Sequence, residues 1–159
     1  MTTDLDELED RRERVRLADH IGSAFASVCR PDPPITEGGT LNEDVERALA
    51  WKFREQITAA DASEVRTDLS SLKPEAFVYY LPALLRVILI GDSYVDSFHA
   101  CVLALLLPRE GRAADEDFER RMALLDRSQR GALARYVDWC LDGESGLPGR
   151  ERALAYWRA

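Results

Sequence analysis

Apolar residues recur three and four apart along most of this chain, the spacing of an amphipathic helix. Leu17, Ile21, Phe25 and Val28 trace one such face. Ahead of them Asp4 to Arg16 is almost wholly charged, with Leu5, Leu8 and Val15 as a thin apolar stripe. Its acids come first and its arginines later, an order that suits the helix dipole. The segment is therefore either a helix resting on the domain edge or a frayed extension. Pro31, Pro33, Pro34, Gly38 and Gly39 make Arg30 to Gly39 a loop. Thr40 or Asn42 can cap a second helix, on which Val45, Leu49, Phe53 and Ile57 sit four apart with Ala48 and Trp51 adding bulk. Asp61 and Glu64 resemble a capping box for a third, which buries Val65, Leu69 and Leu72.

The stretch Pro74 to Ile90 is the most informative. Pro74 suits a first helical position, and Phe77, Tyr80, Leu81, Leu84, Val87 and Ile88 share a face. Val78, Leu85, Leu89 and Ile90 fill the others, so this helix is covered on most sides. Pro82 removes one hydrogen bond and predicts a kink or division near Tyr79. Gly91 ends the helix, and Ser93 can cap a fifth over Tyr94 to Leu107. Helices follow from Asp115 or Asp117, from Ser128, and from Pro148 or Arg150, the last offering Leu154 and Trp157 to the core. No segment alternates as a strand does. The pattern predicts an all-α, single-domain irregular bundle of about seven or eight helices around a central helical hairpin at residues 74–107. Residues 1–18 form a charged helical extension and 19–159 the domain.

Composition narrows the function classes. The chain's 159 residues suit one domain, which buries roughly 70% of its unfolded surface without metals or disulfides. Acidic residues outnumber basic ones 29 to 21, for a net charge of −8. That disfavours nucleic acid, whose phosphates need a basic surface, and permits a basic protein partner. Cys29, Cys101 and Cys140 are odd in number and lie beside apolar residues, which reads as small buried thiols in a reducing cytoplasm. The acidic N-terminus is unlike a signal peptide, and no apolar run reaches the ~18 residues of a membrane span. Oligomeric state is left open, and no cofactor is implied.

The segment Leu72-Lys73-Pro74-Glu75-Ala76-Phe77-Val78-Tyr79-Tyr80-Leu81-Pro82-Ala83-Leu84-Leu85 resembles the hallmark of a bacterial family, domain of unknown function 6714. Ala24-Phe25-Ala26 before Pro31, the aromatics Trp51 and Phe53, the Gln129 to Tyr136 helix and Tyr156-Trp157 extend the likeness over about Asp19 to Arg158. The resemblance supports the helical fold and implies no activity.

Few residues suggest chemistry. Asp92, Asp96 and His99 fall at i, i+4 and i+7, one helical stripe that can bind a divalent metal or act as an acid–base pair, or be a solvent edge. Two histidines in the whole chain exclude a histidine-rich metal centre. Tyr79 and Tyr80 lie about 100° apart on a helix, so one is core and the other can expose a phenol in a groove near Pro82. GxSxG, P-loop, GxGxxG and HExxH signatures are absent. The acidic clusters Asp4 to Asp10 and Asp115 to Glu119 are docking surfaces or solvated helix starts; nearby arginines argue against nucleic-acid mimicry. The leading expectation is a non-enzymatic protein-interaction module, immunity- or adaptor-like. The alternative is a small-molecule or metal-binding sensor or enzyme using a groove near Tyr79, Tyr80, Asp92, Asp96 and His99.

Overall fold

Pro74 opens the helix around which the other elements are placed. The computed structural model describes residues 4–38, 42–91, 96–108, 112–142 and 149–159, with backbone alone at 96–99 and 112–115. Among the described residues eight α-helices follow in order: α1 (Asp4–Ala24), α2 (Glu43–Leu49), α3 (Ala59–Val65), α4 (Pro74–Ile90), α5 (Asp96–Leu106), α6 (Arg112–Met122), α7 (Arg127–Leu141) and α8 (Arg150–Arg158). Short 3-10 turns stand at Arg54–Gln56 and Leu69–Ser71. Among the described residues no strand occurs, only an isolated bridge between Thr36 and Leu72. The chain is all-α, with one hydrophobic cluster that draws on every helix.

In α4, twelve of 17 residues are buried, Pro82 among them. Each fully buried Leu, Phe or Ile stabilises by about 1.5–3 kcal/mol, whereas a helix-interior proline costs about 3 kcal/mol. The sum favours an unbroken helix, and α4 runs through Pro82 rather than dividing near Tyr79. The lower part of α1 lies along α4 through Ala18 and Ile21, with Phe25 fully buried just beyond. Among the described residues α1 is thus the broadest neighbour of α4; α5, with Val102, Leu105 and Leu106 buried, packs on it more narrowly. α6 adds Phe118 and Met122, and the buried Arg121 guanidinium stands 5.2 Å from the Phe77 ring centre. α7 contributes Leu133, Tyr136, Val137 and Leu141, and α8 closes on it with Leu154 and Trp157. α1 is one helix from Asp4 to Ala24, so it passes unbroken through position 18.

Several local expectations are corrected. α2 stops at Leu49, and the spacing that extends it to Phe53 and Ile57 gives way to the 3-10 turn. Asn42 occupies the cap position without a side-chain bond to the helix; its amide donates to Gly38 O instead (3.0 Å). Thr40 lies outside the described residues. The capping box of α3 is Thr58 with Asp61, one turn earlier than Asp61 with Glu64: Thr58 Oγ1 accepts from Asp61 N (3.3 Å) and Asp61 Oδ2 from Thr58 N (3.0 Å). α7 is capped by Asp126 with Gln129, not by Ser128. α6 begins at Arg112, ahead of Asp115. Cys29 is exposed and Cys101 and Cys140 half-buried, so the reading of three buried thiols fails at Cys29.

The loop after α1 is tied down by backbone bonds. Lys73 N donates to Ile35 O (2.9 Å) and Glu37 N to Ser71 O (2.9 Å). Thr36 donates from its N–H and its hydroxyl to one oxygen of Glu46, both at 2.8 Å. Among the described residues no helix is long and apolar enough to cross a membrane.

Candidate functional site

Adjacent positions on a helix point about 100° apart. On α4 this lets Tyr79 and Tyr80 leave in different directions, their rings meeting edge-on at 4.9 Å. Both are buried, so the expected open phenol is not found. Tyr80 Oη donates to Leu49 O at 2.7 Å, with Lys52 O at 3.2 Å as a second, longer acceptor. Burial, with a smaller contribution from Tyr79, pushes the Tyr80 phenol up to about 12. Tyr79 Oη accepts from Arg54 N (3.3 Å). Each hydroxyl therefore holds the backbone between α2 and α3.

Arg54 fastens the same segment from the other side. Its Nη1 donates to Phe25 O (2.8 Å) and its Nη2 to Ala26 O (3.0 Å), the carbonyls of the turn that follows α1. A cation there is favoured by the helix dipole. The guanidinium also stands 5.2 Å from the Tyr79 ring centre. Phe53 N donates to Gln56 Oε1 (2.8 Å), and Arg30 stacks over the Phe53 ring at 4.5 Å. Lys52 reaches Asp61 at 2.6 Å. Burial raises the Asp61 carboxyl, but Lys52 and Thr58 outweigh it and hold it below the usual carboxylate range.

The segment so fixed presents two aromatics to solvent. Trp51 is 76% exposed and Phe53 53%. Sequence reasoning placed both on a helix. The available signal was their separation: residues two apart do not share a helical face, so one of the pair was bound to leave the core.

Of the sequence candidates, the structure joins Tyr79 and Tyr80 to each other. Asp92 and the side chains of Asp96 and His99 lie outside the described residues. Among the described residues no group of three or more His, Cys, Asp and Glu is placed to hold a metal ion. His20 is exposed on the rim of an open cleft of about 1180 Å³ between α1, α7 and α8. Leu17, Trp139 and Leu154 supply its apolar lining, and an Arg158–Asp138 ion pair (2.9 Å) lies within it. Its walls mix both signs of charge and single out no ligand charge.

The acidic surface is interleaved with arginine. Arg47 pairs with Asp44 and Glu64, and Arg120 with Asp117 and Glu37. Exposed pairs of this kind contribute little stability and leave the net charge for long-range steering.

Comparison with curated proteins and with solved structures finds no match. Residues 14–159 do match the model of the "Family of unknown function (DUF6714)", which takes in the whole span that the YYLPA segment and its companions suggest and begins five residues earlier, inside the stretch read as an extension. The chain belongs to that family.

Proposed function

We propose that this protein is a non-enzymatic interaction module, immunity- or adaptor-like in kind, which docks a basic partner protein on the edge carrying Trp51 and Phe53. The observation behind this reading is the 76% exposure of Trp51 on a backbone fastened by Tyr79, Tyr80 and Arg54. Exposed aromatics on an ordered backbone lose little conformational freedom on binding, and Trp and Arg are enriched among residues that dominate interface energies. The basic groups nearby are already engaged: Lys52 by Asp61, Arg54 by carbonyls and Glu55, Arg30 by the Phe53 ring. The net charge of −8 then favours encounter with a basic surface.

The alternative, a small-molecule or metal-binding sensor or enzyme using a groove near Tyr79, Tyr80, Asp92, Asp96 and His99, draws no support from the two tyrosines, because Tyr80 donates to Leu49 O and Tyr79 Oη accepts from Arg54 N; Asp92 and the side chains of Asp96 and His99 lie outside the described residues.

The test is purification of the complex from the native host, followed by reconstitution with the identified partner. The Trp51→Ala, Phe53→Ala double variant should keep its helix content and melting temperature and lose at least tenfold in affinity. Full affinity in the double variant would displace the interface from this edge. Turnover of a metabolite by the isolated chain, with no stoichiometric partner, would reject the reading.

A further inference from the structure

The opening stretch of α1 projects past the core. The first buried residue of this helix is Ala18, and everything before it is exposed or half-buried. Leu5 is 70% exposed and Leu8 52%. Leu5, Leu8, Arg12 and Val15 are spaced three, four and three apart, the seam of a two-helix coiled coil. Open hollows flank that seam, one lined by Leu8, Arg11, Arg12, Val15 and Arg16. A free helix of this length is marginal in water.

Charge along the stretch is segregated. Asp4, Asp6, Glu7, Glu9 and Asp10 precede Arg11, Arg12, Arg14 and Arg16, with Glu13 the one acid among the arginines. Arg14 reaches Asp10 at 3.0 Å, whereas Arg11, Arg12 and Arg16 have no acidic partner among the described residues. Such a segment repels a parallel copy of itself, acid on acid and base on base. It attracts an antiparallel copy, whose basic half lies on its acidic half.

We propose that residues 4–16 pair antiparallel with the same residues of a second copy of this chain. A twofold axis beside Asp10 sets Leu5 of one copy against Val15 of the other, and Leu8 against the aliphatic stem of Arg12. Asp4 then faces the basic half of the partner copy, and Arg16 its acidic half. Near the axis Glu9 and Arg11 approach their own counterparts, and the contact is far smaller than a standard interface. The dimer is accordingly weak, with Kd on the order of 100 µM. This surface is separate from the Trp51 edge and binds a different occupant.

Sedimentation of the full chain tests the pairing. At about 20 mM salt the mass should rise from monomer to dimer as concentration approaches about 1 mM, and fall back toward monomer at about 500 mM salt. Leu5→Asp with Leu8→Asp should be monomeric throughout at unchanged helix content and melting temperature. A chain carrying Arg11→Glu, Arg12→Glu and Arg16→Glu should be monomeric alone. It should form a heterodimer with one carrying Asp4→Lys, Glu7→Lys and Glu9→Lys. For orientation, on a Cys29→Ser background, Leu5→Cys should cross-link to Val15→Cys and not to itself. A wild-type chain that stays monomeric at low salt, a dimer that survives the leucine variants, or self-linking of Leu5→Cys would each overturn the proposal. None of these outcomes bears on foreign-partner binding at Trp51.

Discussion

The indole N–H of Trp157 donates to the carbonyl oxygen of Leu106 at 2.7 Å, both groups buried. The last helix thereby closes the C-terminal end of α5, where carbonyls lack partners within the helix.

That bond predicts the cost of Trp157→Phe. The variant keeps an aromatic ring against Tyr156, whose ring centre lies 5.4 Å away, but leaves the Leu106 carbonyl unpaired. A buried acceptor without a donor costs about 1–3 kcal/mol, and the lost ring volume adds to it. The expected effect is a fall in melting temperature of roughly 5–10 °C by circular dichroism. A shift under 2 °C would mean that solvent reaches this carbonyl.

How much of this was legible depends on where each signal sits. The central helix announces itself, because Pro74 opens it and apolar residues from Phe77 to Leu89 fill most of its faces. Leu154 and Trp157 are buried as their spacing predicts. The end of α2 was not legible, because what holds the chain beyond Leu49 is a tyrosine 31 positions away. The box that opens α3 was present as Thr58-x-x-Asp61, and the longer apolar spacing through Phe53 and Ile57 masked it. The exposed aromatic edge follows from these two facts. Once the helix stops at Leu49, Trp51 and Phe53 have no buried face to occupy. Of the stripe Asp92, Asp96 and His99, Asp92 and the side chains of the other two lie outside the described residues.

Tyr80 couples stability to alkaline pH. Its phenol titrates near 12 in the folded chain and near 10 when unfolded. The folded state therefore holds the proton more tightly. The stability this contributes is fully present below pH 10 and is lost as pH rises from 10 through 12. The loss approaches roughly 2–3 kcal/mol at its end. Tyr80→Phe should cost about 1–2 kcal/mol at neutral pH through the missing bond to Leu49 O, and should remove that part of the alkaline decline. Denaturant titrations at pH 8 and pH 11 check both. Equal alkaline losses in the two proteins would show that another group is responsible.

The Lys52–Asp61 pair works at the opposite end of the pH scale. The Asp61 carboxyl is depressed in the folded chain, so its contribution is present above the unfolded value near 3.9 and is lost as pH falls through the folded value. Lys52→Met removes the ammonium and leaves burial acting on the carboxylate. Because the Lys52 side chain is 38% exposed, solvent screens the pair, and the neutral-pH cost is about 1 kcal/mol. The acid-unfolding midpoint should move to higher pH, read by tryptophan fluorescence. Thr58→Ala should add to the shift, since the hydroxyl donates to the other oxygen of that carboxylate, Oδ2, at 3.1 Å. An unchanged midpoint in both variants would separate this carboxylate from acid unfolding.

Thiol chemistry should sort the cysteines by environment. Thiolate is the attacking form, so reactivity requires both access and deprotonation. Cys29 is exposed after α1. Burial pushes the Cys140 thiol up to about 12, only partly opposed by a hydrogen bond with Tyr136. Against an ordinary thiol near 8.5, that lowers the thiolate fraction at neutral pH by roughly three orders of magnitude. A chromogenic disulfide at pH 8 should therefore react first at Cys29. Cys29→Ser should abolish the fast phase, and Cys140 should become reactive only in denaturant, with mass spectrometry assigning each adduct. Rapid labelling of Cys140 in the folded chain would mean that α7 opens locally, and hydrogen exchange along α7 would then be correspondingly fast.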